Sequence, residues 1–283
     1  MSSGPGEAAW FVGAASAIGS VHVRDQRPNQ DAALVWAEGG FAVITVADGH
    51  GHHLHFRSDV GSALATRCAL DALQSALPTW PDADAAREAL PETAAQIVAA
   101  WRAAVEEHVA ENPIAEVDGA ALHGDVHLAY GATLLAVASA PGFMAALQIG
   151  DGDTVFVRAS GEAFRPLPHD DALDGVHTPS LCQEDPIADL RDAVVDLGED
   201  DVSLAYICTD GFGTARVDPL WWSETGTQLR DLVTERGAAW VAEQLPGWLE
   251  EPAQVGGDDT TMAIVCSRAP ATVRIDVLDA VTQ

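Results

Sequence analysis

Lysine is absent from this chain of 283 residues, and its 14 basic residues, all arginine, face 43 aspartates and glutamates. The formal net charge is −29 at pH 7. Proteins bind the negative backbone of nucleic acids through positive surfaces, so the charge excludes nucleic acid as an expected partner. Most of the acidic residues are expected on a solvated surface, although carboxylates also supply ligands for hard cations.

Cysteine is scarce as well. The four cysteines lie far apart and show no Cys-x-x-Cys spacing; they are Cys68, Cys182, Cys208 and Cys266. This pattern excludes a disulfide framework and predicts a reducing compartment, the cytoplasm. The N-terminus lacks a basic stretch followed by an apolar one, so no signal peptide is expected. No apolar run approaches the roughly 20 residues of a membrane span, and no membrane association is expected.

The order of apolar segments predicts an α+β fold in a single domain over 1–283. Glycine-punctuated apolar segments predict strands at 10–19, 31–49, 130–140, 142–160, 201–213, 256–267 and, as an edge strand, 271–279. Helical spacing predicts helices at 58–77, 82–112, 218–234 and 236–250, the first capped by Ser58 or Asp59 and the second broken at Pro91. Strands in hairpin order with helices in two blocks argue against a parallel βαβ succession.

Aspartates stand at the ends of the predicted strands. Three strands run into an Asp-Gly pair at Asp48, Asp151 and Asp210, and two strands follow the acidic positions Asp31 and Asp258. Any single Asp-Gly pair suits an ordinary turn. If these strand ends share one edge of the core, however, carboxylates converge without basic partners, and a divalent cation would relieve their repulsion. Ligands made only of oxygen favour magnesium or manganese.

Six fragments in a fixed order resemble the motifs of metal-dependent serine/threonine protein phosphatases of type 2C, the PPM family, and in particular a divergent bacterial branch. They are RPNQDA (27–32), VADGHGH (46–52), YGATLLAV (130–137), QIGDGDTVFV (148–157), ICTDGFG (207–213) and GGDDTTMAIV (256–265). The resemblance implies a four-layer α-β-β-α sandwich of two antiparallel sheets flanked by helices, with a metal centre at one end. The irregular range of about 161–200 would be a flap-like insert that shapes substrate access.

The same resemblance implies a set of ligands for two Mn²⁺ or Mg²⁺ ions. Asp48 looks like the aspartate that bridges both ions, and Gly49 like the residue that lends its backbone carbonyl. Asp210 and Asp258 look like the carboxylates that complete one ion's shell. Asp31 matches an acid that supports the network of metal-bound water.

The metal-binding motifs also depart from the family's pattern. Asp151 matches an acid that is tied to a third, weaker ion in the family, but the acid usually found four residues after Asp210 is Thr214 here. This replacement weakens the third site. Gln30 stands where the family usually has glutamate; its amide oxygen can still accept a hydrogen bond from a metal-bound water, but it brings no charge.

The arginine that binds phosphate in the family usually stands five residues before Asp31, where this chain has Gln26. A shift of one residue makes Arg27 the candidate, because a guanidinium can bind phosphate through two parallel hydrogen bonds. Arg57, just after the histidine-rich segment, is a second candidate.

Four histidines fall within six residues, at His50, His52, His53 and His55. His50 occupies the family's general-acid position, where an imidazole can protonate the leaving serine or threonine oxygen. The resemblance assigns no role to the other three. They either lie on a solvated loop or, given suitable geometry, ligate zinc or nickel.

Together these features predict a phosphatase that uses a water activated by two metal ions to hydrolyse phosphoserine or phosphothreonine. Its partner would be a phosphorylated protein, with a serine/threonine kinase as the counterpart. One alternative is a weak or inactive relative that binds phosphoproteins as a regulatory module, and another is a phosphatase for a small phosphorylated metabolite. The retained aspartates argue against a pure binding module, which has no need to hold like charges together.

Overall fold

The computed structural model describes residues 10–168 and 178–267, and these residues form two antiparallel five-stranded sheets. The first sheet contains β1 (Trp10–Ala17), β6 (Asp153–Arg158), β7 (Ala163–Phe164), β9 (Val202–Cys208) and β10 (Thr260–Ser267). Its strands lie in the order β1-β10-β9-β6-β7. The second sheet contains β2 (Ala32–Glu38), β3 (Phe41–Ala47), β4 (Leu134–Ala140), β5 (Phe143–Ile149) and β8 (Arg191–Asp196). Its order is β2-β3-β4-β5-β8.

Helices cover the outer face of each sheet. They are α1 (Ser20–Asp25), α2 (Ser58–Ala76), α3 (Ala83–Glu111), α4 (Glu116–Ala121), α5 (Asp210–Thr214), α6 (Trp221–Arg236) and α7 (Ala238–Gly256). Helices α2 and α3 pack on the second sheet, and α6 and α7 on the first. A third apolar core lies between the two sheets. The predicted four-layer α+β sandwich is therefore confirmed.

The central strands are apolar on both faces because both faces are covered. Every residue of β4 and β5 is buried, with one face against the other sheet and the other against α2 and α3. A tight turn joins β2 and β3, and its central residues Gly39 and Gly40 have φ of 60° and 93°. These left-handed angles suit glycine and produce the tight turn of a two-residue hairpin.

Two helix details predicted from the sequence are wrong. Helix α3 runs through Pro91 without a break, because the buried side chains of Leu90, Ile97 and Trp101 continue one apolar stripe across it and hold the helix against the sheet. Helix α2 follows Arg57 and has no side-chain cap. Ser58 and Asp59 are already the first two residues of the helix, and the buried Ser58 hydroxyl accepts a hydrogen bond from the Gln30 side chain.

The predicted flap-like insert at about 161–200 is only partly described. Within that range, β8 pairs with β5 at the edge of the second sheet, whereas 169–177 lie outside the described residues. The predicted edge strand at 271–279 also lies outside them. The flap and the single-domain limits 1–283 stay predictions. No helix in the described ranges combines the length and the apolar character needed to cross a bilayer.

Candidate metal centre

The predicted acidic positions meet at one end of the sandwich, where strands of both sheets terminate. Asp48 directly follows β3 of the second sheet, whereas Asp210 follows β9 of the first and opens α5. Asp258 lies two residues before β10 of the first sheet. The Thr209 hydroxyl donates to Asp31 Oδ2 at 2.9 Å and so links the start of β2 to the end of β9. Antiparallel strand order thus brings together residues that are distant in sequence.

Burial, followed by repulsion between the carboxylates, raises the pKa values of the aspartates in this cluster. Burial raises the pKa of Asp48 well above its ordinary value, and the negative charges of Asp31 and Asp210 raise it further. Burial likewise raises the pKa of Asp31. The pKa of Asp210 rises to about 6, with burial as the largest cause. Asp258 adds to the negative charge around all three, although its own side chain is 55% exposed.

Three buried oxygens at the centre have no hydrogen-bond partner among the described residues: Gln30 Oε1, Asp31 Oδ1 and Asp210 Oδ1. Buried acceptors normally find a partner, so these atoms suit a cation or its coordinated water. Among the described residues, including those of this centre, no three histidine, cysteine, aspartate or glutamate side chains are arranged to hold an ion by themselves. Backbone carbonyls and waters would have to complete the shell, as is usual for Mg²⁺. The all-oxygen donor set fits Mg²⁺ or Mn²⁺.

The backbone around Gly49 leaves no room for a side chain. A Cβ atom on Gly49 would lie 2.6 Å from the carbonyl oxygens of both Gln30 and Ser58. Its own N–H donates to the Gln30 carbonyl at 3.1 Å. Next to it, the Thr133 hydroxyl accepts from the Asp48 N–H at 3.0 Å, and the Thr133 N–H donates to the Asp48 carbonyl at 2.8 Å. These contacts fix the turn that carries Asp48.

His50 is held beside the aspartates by its backbone and by a second histidine. Its N–H donates to the Gly131 carbonyl at 3.0 Å, and its ring centroid lies 5.1 Å from that of His55. Burial lowers the pKa of His50 to about 4, the charge of His55 lowers it further, and Asp151 acts in the opposite direction. The free imidazole is therefore neutral at neutral pH.

The remaining loop histidines differ in their surroundings. His55 Nδ1 lies 2.5 Å from the Leu128 carbonyl, which anchors its ring, and burial lowers its pKa. His52 and His53 are exposed, and their ring centroids are 4.1 Å apart. Within the described residues these rings are not arranged around an ion. Their place on a largely solvated loop stays the simpler interpretation.

The two candidate phosphate-binding arginines lie in different environments. Arg27 is exposed, and its Nη1 donates to the Gly51 carbonyl at 3.3 Å, which places it one residue from His50. Arg57 donates to the Asn112 carbonyl and to the Tyr130 hydroxyl, both at 2.7 Å. Arg57 thus secures the end of α3, and the structure favours Arg27.

The elements of the predicted third site are only partly assembled. Asp151 Oδ2 accepts a hydrogen bond from the Thr178 hydroxyl at 2.7 Å, and its charge contributes to the raised pKa of Asp210. The nearby Asp153 is paired with Arg165 at 2.5 Å. Thr214, at the end of α5, is exposed and brings no carboxylate.

Comparison with known proteins gives the family. The family model for protein phosphatase 2C matches residues 18–250. The chain belongs to the protein phosphatase 2C family. It is thereby a protein serine/threonine phosphatase by class, as the motifs predict. No curated protein sequence matches the chain.

Solved structures similar to this 2C-type phosphatase share its fold across nearly the whole chain. The Mycobacterium tuberculosis serine/threonine phosphatase PstP/Ppp is 19% identical, covers 92% of this chain and 99% of its own, and has a TM-score of 0.57. A PstP catalytic domain in complex with two manganese ions is 20% identical, with coverages of 91% and 97% and a TM-score of 0.56. PppA of Pseudomonas aeruginosa is 18% identical, with coverages of 93% and 99% and a TM-score of 0.53.

The sequence left one important pair of this phosphatase unassigned. His22 Nδ1 lies 2.8 Å from Asp259 Oδ2, and both side chains are buried. The same carboxylate accepts from the N–H groups of Gly19 at 2.7 Å and Gln30 at 2.6 Å. The available signal was Asp259 itself, because a second aspartate directly after Asp258 adds a charge that needs a partner. The sequence around His22 gives no such hint, since α1 was not predicted.

Proposed function

We propose that this phosphatase hydrolyses phosphoserine and phosphothreonine in proteins with the help of two Mn²⁺ or Mg²⁺ ions. The observation that carries the proposal is the cluster of buried aspartates with unpartnered oxygens where the two sheets meet. Such a cluster is unfavourable unless cations neutralise it. The manganese ions of the related PstP structure support the choice of metal.

The ions would be held by the Asp48 carboxylate, the Gly49 carbonyl and the carboxylates of Asp210 and Asp258. When bound, two such ions lower the pKa of a water and neutralise charge on the phosphoryl oxygens. Asp31, fixed by Thr209, keeps one carboxylate oxygen free to orient that water.

The chain's own groups would bind the phosphoryl group and protonate the leaving oxygen. Arg27 lies next to His50 through the Gly51 carbonyl and can bind the phosphoryl oxygens. His50 can then give a proton to the departing serine or threonine oxygen. Burial and the charge of His55 hold the pKa of His50 near 4, but a phosphoryl dianion beside the ring favours the protonated imidazole. Binding of the substrate phosphate would therefore favour the protonated form of His50 that acts as general acid.

The centre is proposed to hold two ions and not three, because Thr214 replaces the acid expected at the third site. The unpartnered oxygens of Asp31 and Asp210 also speak against the regulatory-module alternative. A surface of net charge −29 favours phosphoproteins with arginine or lysine near the phosphate. A kinase counterpart and a cytoplasmic setting belong to the same proposal.

A hydrolysis assay with matched substrates tests the proposal. The purified chain would be given p-nitrophenyl phosphate, an arginine-flanked phosphothreonine peptide, its phosphotyrosine counterpart and a sugar phosphate, each with Mn²⁺, Mg²⁺ or chelator. We expect turnover that requires Mn²⁺ or Mg²⁺ and is fastest on the phosphothreonine peptide. Peptide binding without turnover at any metal concentration would favour the regulatory module. Faster hydrolysis of the sugar phosphate would favour a metabolite phosphatase.

A further inference from the structure

A cavity that is separate from the aspartate cluster lies between α6, α7 and the first sheet. Its volume is about 410 Å³, within the range of small-molecule sites. Its apolar lining includes side chains that are almost fully buried, namely Phe212, Leu229, Leu245, Leu249 and Met262. The apolar part of this lining favours an apolar body.

Arg216 places a positive charge at this cavity. Its guanidinium carbon lies 4.6 Å from the centre of the Phe212 ring, so one flat face is covered. The Arg216 side chain is exposed, and among the described residues its guanidinium has no hydrogen bond or ion pair, whereas Arg158 and Arg165 pair with carboxylates. Because stacking on a ring leaves N–H groups at the guanidinium edge unused, Arg216 can receive an anionic group.

The polar side chains of the lining extend this binding face. Arg216, Thr225 and Gln228 line both the main cavity and an adjoining one of about 200 Å³. They stand where the two spaces meet, so a polar group held there would leave its apolar body in the larger space. Glu251 lines the main cavity and Asp218 and Glu224 line the adjoining one, so these carboxylates oppose any negative charge beyond the single one that Arg216 can pair with.

We infer that this cavity binds a small amphipathic monoanion, an aromatic or branched apolar body with one carboxylate, and that its occupancy alters metal binding at Asp210. The carboxylate pairs with Arg216, and the apolar body covers Phe212, Leu245 and Met262. The regulatory part rests on the proposed function of the metal centre, whereas binding itself does not.

The route from the cavity to the metal centre is the short helix α5. It begins at Asp210 and carries Phe212, whose ring lines the cavity. The helix is tightly seated, because a side chain on Gly211 would collide with the Asp259 carbonyl and one on Gly213 would lie 2.7 Å from the Trp221 ring. A ligand that covers Phe212 therefore contacts the same five-residue helix that positions Asp210.

Binding is tested with two probes that differ only in charge, 4-phenylbutyrate and 4-phenyl-1-butanol, by calorimetry on the whole chain in Mg²⁺. We expect saturable one-to-one binding of the acid. Arg216→Gln should weaken the acid roughly tenfold, the worth of one charge-assisted hydrogen bond, and leave the alcohol unchanged. Arg236→Gln is the matched control, since Arg236 lies at the end of α6 with its own partner Glu235. Equal binding of acid and alcohol, or equal binding to wild type and Arg216→Gln, would overturn the assignment.

A second variant locates the site. Gly247 lines the cavity, and a Cβ atom there meets no heavy atom within 4 Å, so Gly247→Phe should fold. It should abolish binding of both probes, and undiminished binding would place the site elsewhere. For the regulatory part, 4-phenylbutyrate should change the half-saturating Mn²⁺ concentration for p-nitrophenyl phosphate at least threefold in wild type and not in Arg216→Gln. If 4-phenylbutyrate binds but the half-saturating Mn²⁺ concentration does not change, the coupling is wrong. If the chain shows no turnover even when no probe is added, the proposed function is wrong instead.

Discussion

His22 and Asp259 form a buried pair beside the candidate metal ligand Asp258. The Asp259 carboxylate accepts hydrogen bonds from two backbone N–H groups and lies within hydrogen-bond distance of the His22 ring nitrogen Nδ1. His22 Nε2 lies 3.9 Å from Asp258 Oδ1. This carboxylate therefore ties the segment around α1 to the start of β10. The neighbouring Asp258, whose side chain is half exposed, owes its backbone position to that connection.

Replacing His22 with alanine should loosen Asp258 and weaken metal binding. The half-saturating Mn²⁺ concentration should rise several-fold with little change in turnover at saturating Mn²⁺. Stability should fall by about 1–3 kcal/mol, because a buried carboxylate loses one partner. Urea unfolding and Mn²⁺ titration measure both effects. His53→Ala, in the exposed part of the loop, is the control; an unaltered Mn²⁺ requirement in His22→Ala would refute the positioning role.

Asp48→Asn should lower turnover by roughly two orders of magnitude or more, because the variant loses the carboxylate proposed to bridge both ions. The metal-free protein should become more stable, since a buried charge surrounded by Asp31 and Asp210 is removed. Phosphatase kinetics and thermal unfolding in chelator measure the two effects. Asp118→Asn, on the exposed helix α4, should change neither. Near-full activity in Asp48→Asn would rule out the ligand assignment.

The metal-free protein should lose stability as the pH rises from about 4 to 6. Burial raises the pKa of Asp210 from 3.8 to about 6, so the folded state binds a proton that the unfolded chain has released in this window. The corresponding loss is at most about 3 kcal/mol. Urea unfolding in chelator across this range should show the decline for wild type and a shallower one for Asp210→Asn. Parallel profiles would contradict this prediction, and Mn²⁺ should stabilise more strongly at the higher pH.

Gly49→Ala should destabilise the fold by about 1–3 kcal/mol and remove activity, because its methyl group would overlap the carbonyls of Gln30 and Ser58. Gly51→Ala is a matched control two residues away, since a Cβ atom there meets nothing within 4 Å. Thermal unfolding and p-nitrophenyl phosphate hydrolysis compare the two. Equal behaviour of both variants would mean that Gly49 has more room than the structure gives it.

Arg27→Ala should lower kcat/KM roughly tenfold to a hundredfold, mostly through KM, because a charge-assisted contact with the phosphoryl group is lost. The Mn²⁺ requirement should stay unchanged. Arg24→Ala removes a nearby exposed arginine that is paired with Asp25, and it should behave like wild type. Steady-state kinetics on a phosphothreonine peptide distinguish the two. A loss in Arg24→Ala equal to that in Arg27→Ala would point to general charge rather than a phosphate contact.

The order of apolar segments predicts the α+β class and the acidic strand ends, and the family resemblance adds the four layers and the roles of the residues at the centre. Strands such as β4 and β5 are uniformly apolar, and Asp48 and Asp210 mark strand ends by a local turn signal. Both features can be recognised from residues that are close together in the sequence. The continuity of α3 through Pro91 was not predictable in this way, because it depends on what Leu90 and Trp101 pack against.

Long-range pairs also escaped prediction. His22 and Asp259 are 237 residues apart, and neither local pattern requires the other. Arg57 was a reasonable phosphate-binding candidate from its position, but its partners Asn112 and Tyr130 come from a distant part of the chain. Where a side chain's role depends on tertiary neighbours, local spacing carries no information about it.

The placement of Asp48 on one sheet and of Asp210 and Asp258 on the other has a mechanical consequence. Ions held by these three residues would clamp the two halves of the sandwich together at one end. Removing the ions should loosen that end of the sandwich first, because the apolar core between the two sheets does not depend on metal. Amide hydrogen exchange in chelator should therefore accelerate first at the C-terminal end of β3 and the N-terminal end of β10. The number of bound ions would then determine how rigid this end of the sandwich is.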